Sequence, residues 1–515
     1  TYNGEIFNYQ TIKAELIALQ LTFNTATDTE VILAGYKTWG TEIFAKLEGM
    51  FAFALYDPNT DITYLVRDQS GIKPLYYSLT DKKLVFASEV KAFLQSDYTF
   101  EEHKDWKVYF LAFGHLPHPY TTLQNVVSLP AGSFLSWSHS DQKSSIHTYK
   151  RTENKKTVEK PSLAIEKQLR KAVQSHLIAD APIGVFLSGG IDSSIITLLA
   201  DEQVGKNLNS LSINFVEEQF SEAKYQQLIS SKIAGKHSSY QVTQSDFEDH
   251  FEKIVNSMDQ PTNDGINSWF VNKCAKENGL KAVLSGIGAD ELYGGYPSFK
   301  RMGLIKKLKR LPKSILKLSN TIPSAKLKRT YYLSYKNIIG DYLFLRGFFV
   351  PSAIAKILGR SRKEIDELLK NVPYDKIADN LEDEERATWL ETNLFMKNQL
   401  LKDTDFMSMA HGIEVRVPFL DQDFLKMTES INNQDRFTAQ PKGALIKAFE
   451  EILPEAIWNR PKMGFTFPLQ QWFMKHGKIT DEKIYKNAEM KRLIRSFKAG
   501  KLHWSKAYAL YQVRS

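Results

Sequence analysis

The stretch Gly184-Val-Phe-Leu-Ser-Gly-Gly-Ile-Asp-Ser-Ser194 constrains this chain more than any other. Its Val185–Leu187 run is short, apolar and β-favouring, and Ile195, Ile196, Leu198 and Leu199 follow at once. The order predicts a strand, a glycine turn and a helix. Such a turn can cradle phosphate. Gly189 and Gly190 let the backbone approach an anion, and the free N–H groups at the helix start supply the field that holds it. Ser188, Ser193 and Ser194 add hydroxyl donors. Asp192 alone would repel phosphate, so its presence makes sense with a Mg²⁺ between the two. No Lys follows the glycines as it does in G-x-x-x-x-G-K-[ST], and the spacing is not G-x-G-x-x-G.

The surroundings alternate between helix and strand. Ile165, Leu169, Ala172, Val173 and His176 share a helix face before the loop, and Leu208–Phe215 predicts the next strand. A helix with Tyr225, Leu228 and Ile229, a strand over Ser238–Thr243, a helix with Phe247, Phe251 and Ile254, and Lys281–Leu284 as the last clear strand complete the pattern. Repeated β-α-β units imply a doubly wound parallel sheet with ligands beyond the strand carboxyl ends. A second loop, Ser285-Gly-Ile-Gly-Ala-Asp-Glu-Leu-Tyr-Gly-Gly-Tyr296, follows the last of these strands. Asp192 and Asp290 could then share one Mg²⁺ over a nucleotide.

The first loop resembles the SGG-[ILV]-DSS pyrophosphate loop of the ATP pyrophosphatases, which cut ATP between its α- and β-phosphates. The first hundred residues carry other words: Asn3-Gly4-Glu5, Thr27-Asp28-Thr29-Glu30, Leu47–Phe53 and Arg67-Asp68 with Gly71-Ile-Lys-Pro-Leu75. These resemble the glutaminase domain of class II glutamine amidotransferases. Together the two sets resemble the glutamine-dependent asparagine synthetase family over nearly the whole chain. The C-terminal words Asp405–Asp421, Pro441–Leu445 and Asn459-Arg-Pro-Lys-Met-Gly-Phe465 match that family's last third.

The resemblance implies an α+β N-terminal Ntn-type glutaminase block over 1–150, then an α/β ATP pyrophosphatase domain over 160–515 with a helical C-terminal part. The charged segment Lys150–Lys160 marks the boundary. Asn3 and Gly4 would form the oxyanion hole, and Glu5 and Asp28 would hold the α-amino group of glutamine. Leu187, Ile213, Ser285 and Gly286 would contact adenosine. Ser188, Gly189, Gly190, Asp192, Ser193, Ser194 and Asp290 would take the phosphates and Mg²⁺. Lys442 would stabilise charge at the adenylating centre, a role that rests on the resemblance alone.

Three departures stand out. The N-terminal cysteine and the glutamine-binding arginine of the family are absent, Thr1 is no substitute for the nucleophile, and the chain reads as a fragment of a longer one. The position of Ile287 often carries an acid in this family, so either another carboxylate, with Glu291 nearest in sequence, takes the proton or the acceptor pocket is more apolar.

In the first block, Phe51, Phe53 and Leu55 alternate, a second strand runs to Arg67-Asp68, and Gly71–Tyr77 and Leu84–Val90 read as further strands and turns of the same layered sheet. Thr27–Glu30 reads as a helix-capping signal. Residues 97–160 read as a connector with some strand content, and His115 and His118 as loop residues, since no further ligands stand near them. Lys376–Leu400 reads as helix. The one cysteine, Cys274, excludes an intramolecular disulfide and falls on an apolar helix face, so it reads as core.

The 515 residues carry a net charge of +8, but Lys300–Arg329 alone holds eleven Lys and Arg and no acid. The charge is therefore regional and does not argue for nucleic acid. With no apolar run of eighteen residues and no signal peptide, the default location is cytoplasmic and no firm membrane signal stands out. The basic run could lie on a membrane or an anionic polymer, with a solvated helix face as the plainer reading.

The expected activity is ATP-dependent adenylation of the aspartate side chain and its amidation by glutamine-derived or free ammonia, with ATP and Mg²⁺ required. A relative acting on a sugar or peptide carboxylate, and a non-catalytic assembly or regulatory protein, are the alternatives. A homodimer is left open.

Overall fold

The computed structural model describes residues 1–80, 82–149, 157–179, 181–322, 324–464 and 466–514. Residues 150–156, the first part of the expected boundary, lie outside the described residues, as does Phe465.

Among the described residues, eight strands build the first block: β1 (Tyr2–Ile6), β2 (Gly49–Asp57), β3 (Ile62–Arg67), β4 (Tyr76–Thr80), β5 (Lys83–Ala87), β6 (Val127–Ser128), β7 (Ser133–Ser138) and β8 (Lys143–Thr148). An antiparallel sheet runs β1-β2-β3-β7-β8. The expectation of one continuous sheet is corrected, because β5-β4-β6 form a separate three-stranded sheet. Strand alternation makes the layers. Phe51, Phe53 and Leu55 on one face of β2 pack against Ile12, Leu16, Val31 and Ile32 of the helices Tyr9–Ala18 and Asp28–Trp39. Ala52 and Leu65 on the other face meet Tyr77, Leu84 and Phe86 of the small sheet. Thr27 caps its helix by accepting from the Glu30 amide at 3.4 Å. The Glu30 carboxylate instead binds the amides of Asn24 and Thr25.

The region 97–160 is more than a connector, since Trp106–Phe113 is a helix. Seven of its eight residues are buried, so it lacks the polar stripe that marks a surface helix.

The second block contains β9 (Ile183–Phe186), β10 (Asn209–Phe215), β11 (Lys236–Val242), β12 (Ala282–Leu284) and β13 (Glu414–Arg416). All four pairings are parallel, in the order β11-β10-β9-β12-β13. β12 is not the last strand, because β13, three residues long, closes the sheet after some 130 residues of mostly helical chain. The order reverses beside β9, which opens a crevice beyond the carboxyl ends of β9 and β12. The expected helix over Lys376–Leu400 is also corrected: a short 3₁₀ turn at Lys376–Asn380 stands apart, and helix runs from Asp383 to Met409 with wide π-type turns over Glu391–Leu400.

The two blocks share a buried interface. Arg67 donates to the carbonyls of Gly71, Lys73 and Leu129, and Asp68 accepts from the amides of Phe51, Ser70, Ile72 and Lys73, which fixes the Gly71–Leu75 turn. That turn aims Lys73 at Asp405 of the second block, 3.2 Å away and buried. Around it Met50 and Ile72 of the first block pack with Met396, Leu401, Val417 and Leu420 of the second. His115 and His118 also lie in this seam, against Gln399 and Ser128 at 3.2 and 2.7 Å. Burial pushes both imidazoles down to about 3, which suits neutral structural rings. Cys274 is buried against Leu211, Leu280 and Val283. Among the described residues, no single helix is long and apolar enough to cross a membrane.

Candidate active site

A cavity of about 270 Å³ fills the crevice at the switch point. From the β9 side it is lined by Leu187, Ser188, Gly190, Asp192 and Ser193, from the β12 side by Ser285, Gly286, Ile287, Asp290 and Glu291, and from β10 by Ile213. The two loops, far apart in sequence, therefore share one cavity.

The β9 loop is closed by its own hydroxyls: Ser193 Oγ lies 2.9 Å from Ser188 Oγ, accepts from the Ser188 amide and donates to the Gly190 carbonyl. Gly190 starts the Ile191–Val204 helix, and no side chain caps it. Its first amides therefore have no side-chain acceptor at the cap, and Gly190, Asp192 and Ser193 of this helix start line the cavity, an arrangement that suits an anion. Ser194 sits one step deeper, fully buried with its hydroxyl unpartnered, and does not line the cavity. Gly189 also faces away. Its positive φ of 86° turns the chain under Tyr225 and Gln226, and its carbonyl accepts from Arg460 at 2.9 Å. Arg460 pairs with Glu222 at 2.9 Å and stacks 3.8 Å over Tyr225.

Asp192 and Asp290 meet through Lys442. The Lys442 Nζ lies 2.5 Å from Asp192 Oδ2 and 2.6 Å from Asp290 Oδ1, and Lys462 Nζ reaches the same Asp290 oxygen at 2.6 Å. Both carboxylates are tucked into the crevice rather than facing solvent, with side chains 18% and 19% exposed. The chain bends to achieve this. Lys442 adopts φ of 59°, a left-handed conformation unusual for a side-chain residue, and its amide donates to the Tyr293 carbonyl at 3.0 Å. Gly295 leaves room for the cluster, since a Cβ there would overlap Asp290 Oδ1 and come within 2.5 Å of Lys442 Cε. Gly286 plays the same part between the loops, where a Cβ would lie 2.9 Å from Asp192 Cβ.

The charges are mutually supported. Burial raises the Asp192 carboxyl despite the nearby Lys442 ammonium. Burial also works on Asp290, but Lys442 and Lys462 outweigh it and hold that carboxyl below its usual range. Burial would depress Lys442, yet the two carboxylates keep it above the ordinary lysine range. Asp192 Oδ1 is buried with no protein partner, an oxygen open to a hard cation. Glu291 is buried, accepts from the Tyr296 hydroxyl at 2.8 Å, and is pushed up to about 7 by burial and then by the Asp290 charge. Ile287 lines the cavity and packs into the apolar seam between the blocks.

The residues expected for glutamine lie on and beside β1. Asn3 Nδ2 donates to Ser88 Oγ at 3.4 Å, and Gly4, with φ of 137°, leaves no room for a Cβ against the Met50 carbonyl. Asp28 Oδ2 accepts from the Tyr2 hydroxyl at 2.5 Å and the Ile6 amide at 3.2 Å. Glu5 stays half exposed, 3.4 Å from Arg416 of β13. Burial raises its carboxyl, with Glu414 adding and Arg416 opposing.

Sequence reasoning assigned no part to Arg460, Lys462 or Glu222, nor to Asp264 and Asp403, which also line the cavity. The basic word Asn459-Arg-Pro-Lys462 was the available signal for the first two.

Comparison with known proteins identifies the family. The family described as asparagine synthase matches residues 164–499, and the glutamine amidotransferase domain family matches 1–150. Asparagine synthetase [glutamine-hydrolyzing] 1 of Bacillus subtilis (strain 168) is 31% identical over 483 residues, covering 92% of this chain and 76% of the relative. A putative asparagine synthetase [glutamine-hydrolyzing] of Mycobacterium bovis is also 31% identical, over 92% of the chain and 75% of the relative. Asparagine synthetase B [glutamine-hydrolyzing] of Escherichia coli (strain K12) is 27% identical, over 90% and 69%. With a family match across most of the second block and similarity over 92% of the chain, the chain belongs to the asparagine synthase family, with a glutamine amidotransferase domain ahead of its synthase domain.

Proposed function

We propose that the chain is a glutamine-hydrolysing asparagine synthetase, built from an Ntn-type glutaminase domain over 1–150 and an adenylating domain over 160–515. The observation that carries this reading is the pairing of Asp192 and Asp290 through Lys442 across a cavity that ends on an uncapped helix N-terminus.

ATP lies with its adenosine against Leu187, Ile213, Ser285 and Gly286 and its phosphates over Ser188, Gly190 and the open amides of the Ile191–Val204 helix. The all-oxygen donor set of Asp192 and Asp290, with Asp192 Oδ1 unpartnered, suits Mg²⁺. When bound there, the ion would neutralise charge on the phosphates. A side-chain oxygen of aspartate attacks the α-phosphorus, and the bond to the β-phosphate bridging oxygen breaks to release pyrophosphate. Lys442 sits where it can offset the charge gathered on that centre. Ammonia then attacks the acyl carbon of the adenylate, AMP leaves, and the nitrogen gives up a proton. Glu291, in the same wall as Ile287, is the carboxylate placed to take it.

In the first domain, Asn3 and the Gly4 backbone serve as oxyanion donors, while Glu5 and Asp28 hold the glutamine α-amino group. The glutaminase cysteine is not among these 515 residues, so the test is fed with ammonia. The purified chain is expected to exchange pyrophosphate into ATP in the presence of aspartate and Mg²⁺ and to form asparagine, and Asp192→Asn or Asp290→Asn is expected to abolish both. Exchange that ignores aspartate, or survives in both variants, would overturn the reading.

A further inference from the structure

We propose that the basic segment between the active-site loop and the helical core is a docking surface for an anionic lipid membrane. Residues 300–329 hold eleven Lys and Arg and no acid, so the remainder of a chain with net charge +8 sums to −3. The segment concentrates positive charge with no acid inside it to offset it.

Charge alone would fit any polyanion. The apolar residues decide between candidates. Leu304 in the Pro297–Leu308 helix is 48% exposed, Leu311 38%, Ile315 and Leu318 of the Lys313–Leu318 helix 50% and 64%, and Ile322 and Leu327 37% and 52%. Six large aliphatic side chains thus stand in solvent within 24 residues. An acidic polymer gives them nothing to bury in, whereas a lipid headgroup region takes aliphatic tips and basic heads together.

The helices are arranged for this. In Pro297–Leu308, Met302 and Ile305 are buried, while Lys300, Arg301, Leu304 and Lys307 lie together on the exposed side at three- and four-residue spacing. In Lys313–Leu318, Leu316 alone points into the core, leaving Lys313, Ile315 and Lys317 outward. Three cations are engaged within the protein: Lys306 pairs with the exposed Glu382 at 2.9 Å, Lys309 with the buried Asp341 at 3.1 Å, and Arg329 donates to the Leu345 carbonyl at 3.0 Å. The docking role therefore falls to Lys300, Arg301, Lys307, Arg310, Lys313 and Lys317. No single helix among the described residues is long and apolar enough to cross a membrane, and the exposed aliphatic residues of this segment stand among cations on short helices, so the contact is interfacial. The Pro297–Leu308 helix that carries the first of these cations starts one residue after Tyr296, whose hydroxyl binds Glu291, so a docked molecule would hold its cavity at a fixed place relative to the lipid.

The test is sedimentation of the full 515-residue chain with vesicles of phosphatidylcholine alone and of an equimolar phosphatidylcholine–phosphatidylglycerol mixture. Binding is expected only to the anionic vesicles and is expected to weaken as salt rises. Lys307→Glu/Lys313→Glu/Lys317→Glu should lower partitioning by roughly tenfold or more. Ile315→Ser/Leu318→Ser, which keeps every cation, should lower it severalfold. Both variants should keep wild-type ATP–pyrophosphate exchange, which reports the fold. Absence of wild-type binding would overturn the proposal. So would wild-type retention by Ile315→Ser/Leu318→Ser together with equal affinity for soluble heparin, an outcome that assigns the patch to a polyanion.

Discussion

Gly295→Ala isolates the carboxylate–lysine cluster with a single methyl group. The added Cβ would overlap Asp290 Oδ1, and a carbon and an oxygen need roughly 3.2 Å, so the carboxylate must move by at least ~1.5 Å. Its contacts at 2.6 Å with Lys442 and Lys462 then stretch to the limit of an ion pair, and Lys442 Cε, 2.5 Å from the new methyl, is pushed as well. The obstacle is the end of a flexible side chain, so the stability cost falls at the low end for overpacking, about 1 kcal/mol. The chemical cost is larger, because a displacement near 1 Å at a reacting centre costs ~10²-fold. Aspartate-dependent ATP–pyrophosphate exchange should therefore fall about a hundredfold while the urea midpoint moves little. Gly303→Ala, where no atom lies within 4 Å of the new Cβ, is the matched control and should keep full exchange. Exchange in Gly295→Ala within about threefold of wild type would refute the argument.

Three further outcomes follow from the same geometry. Gly286→Ala, whose Cβ would sit 3.1 Å from the Ser193 amide nitrogen, should raise the KM for ATP by roughly tenfold as the two loops part by a few tenths of an ångström, and steady-state kinetics would read it. Lys73→Met leaves Asp405 buried without its cation and should cost about 3–5 kcal/mol in urea unfolding, most of it recovered in Lys73→Met/Asp405→Leu; an unaltered single variant would mean that the seam does not depend on this pair. Asp259 accepts from the amides of Val90 and Lys91 at 2.9 Å across the blocks, and burial still pushes its carboxyl up to about 6. The native state then holds the proton over a window where the unfolded chain has lost it, so this group makes folding less favourable as pH rises from about 4 to about 6. Asp259→Asn should flatten that slope in pH-dependent melting, and an unchanged slope would place the titration elsewhere.

The parts of this protein readable from sequence are those whose signal is local. β9 through β12 announce themselves by short apolar runs between periodic helices, and the two loops are legible because each glycine word follows a strand. β13 escapes because three residues cannot display a period, and Trp106–Phe113 because a helix buried at seven of its eight positions has no polar face to give its phase. The pairing of Asp192 with Asp290 could be anticipated, since neighbouring strand ends in a parallel sheet face one crevice. The insertion of Lys442 between them could not. It depends on a left-handed turn at Lys442 and on the absence of a side chain at Gly295, more than a hundred residues apart in sequence. The Arg67–Leu75 word was visible as a resemblance, but its physical role, aiming Lys73 at Asp405, needs the partner that folding supplies.

Ile287 shows how a departure from a family pattern can be settled by packing. On sequence alone, an isoleucine where an acid often stands raises the question of a changed acceptor. In the fold, Ile287 faces two ways: it lines the cavity, and it joins the apolar seam with Met50, Ile72, Leu400, Leu401 and Leu420. A carboxylate there would be desolvated on the side that packs against hydrocarbon, which raises its pKa and disfavours its charged form. The chain instead keeps a carboxylate nearby at Glu291, buried in the same wall and fixed by the Tyr296 hydroxyl. The demand of the chemistry is for a proton acceptor within reach of the attacking nitrogen, not for an acid at one position of the loop. On the proposed mechanism, an apolar residue at 287 and a held carboxylate at 291 would meet that demand without adding a further charge to a seam that already buries the Lys73–Asp405 pair, so the substitution does not itself argue against aspartate.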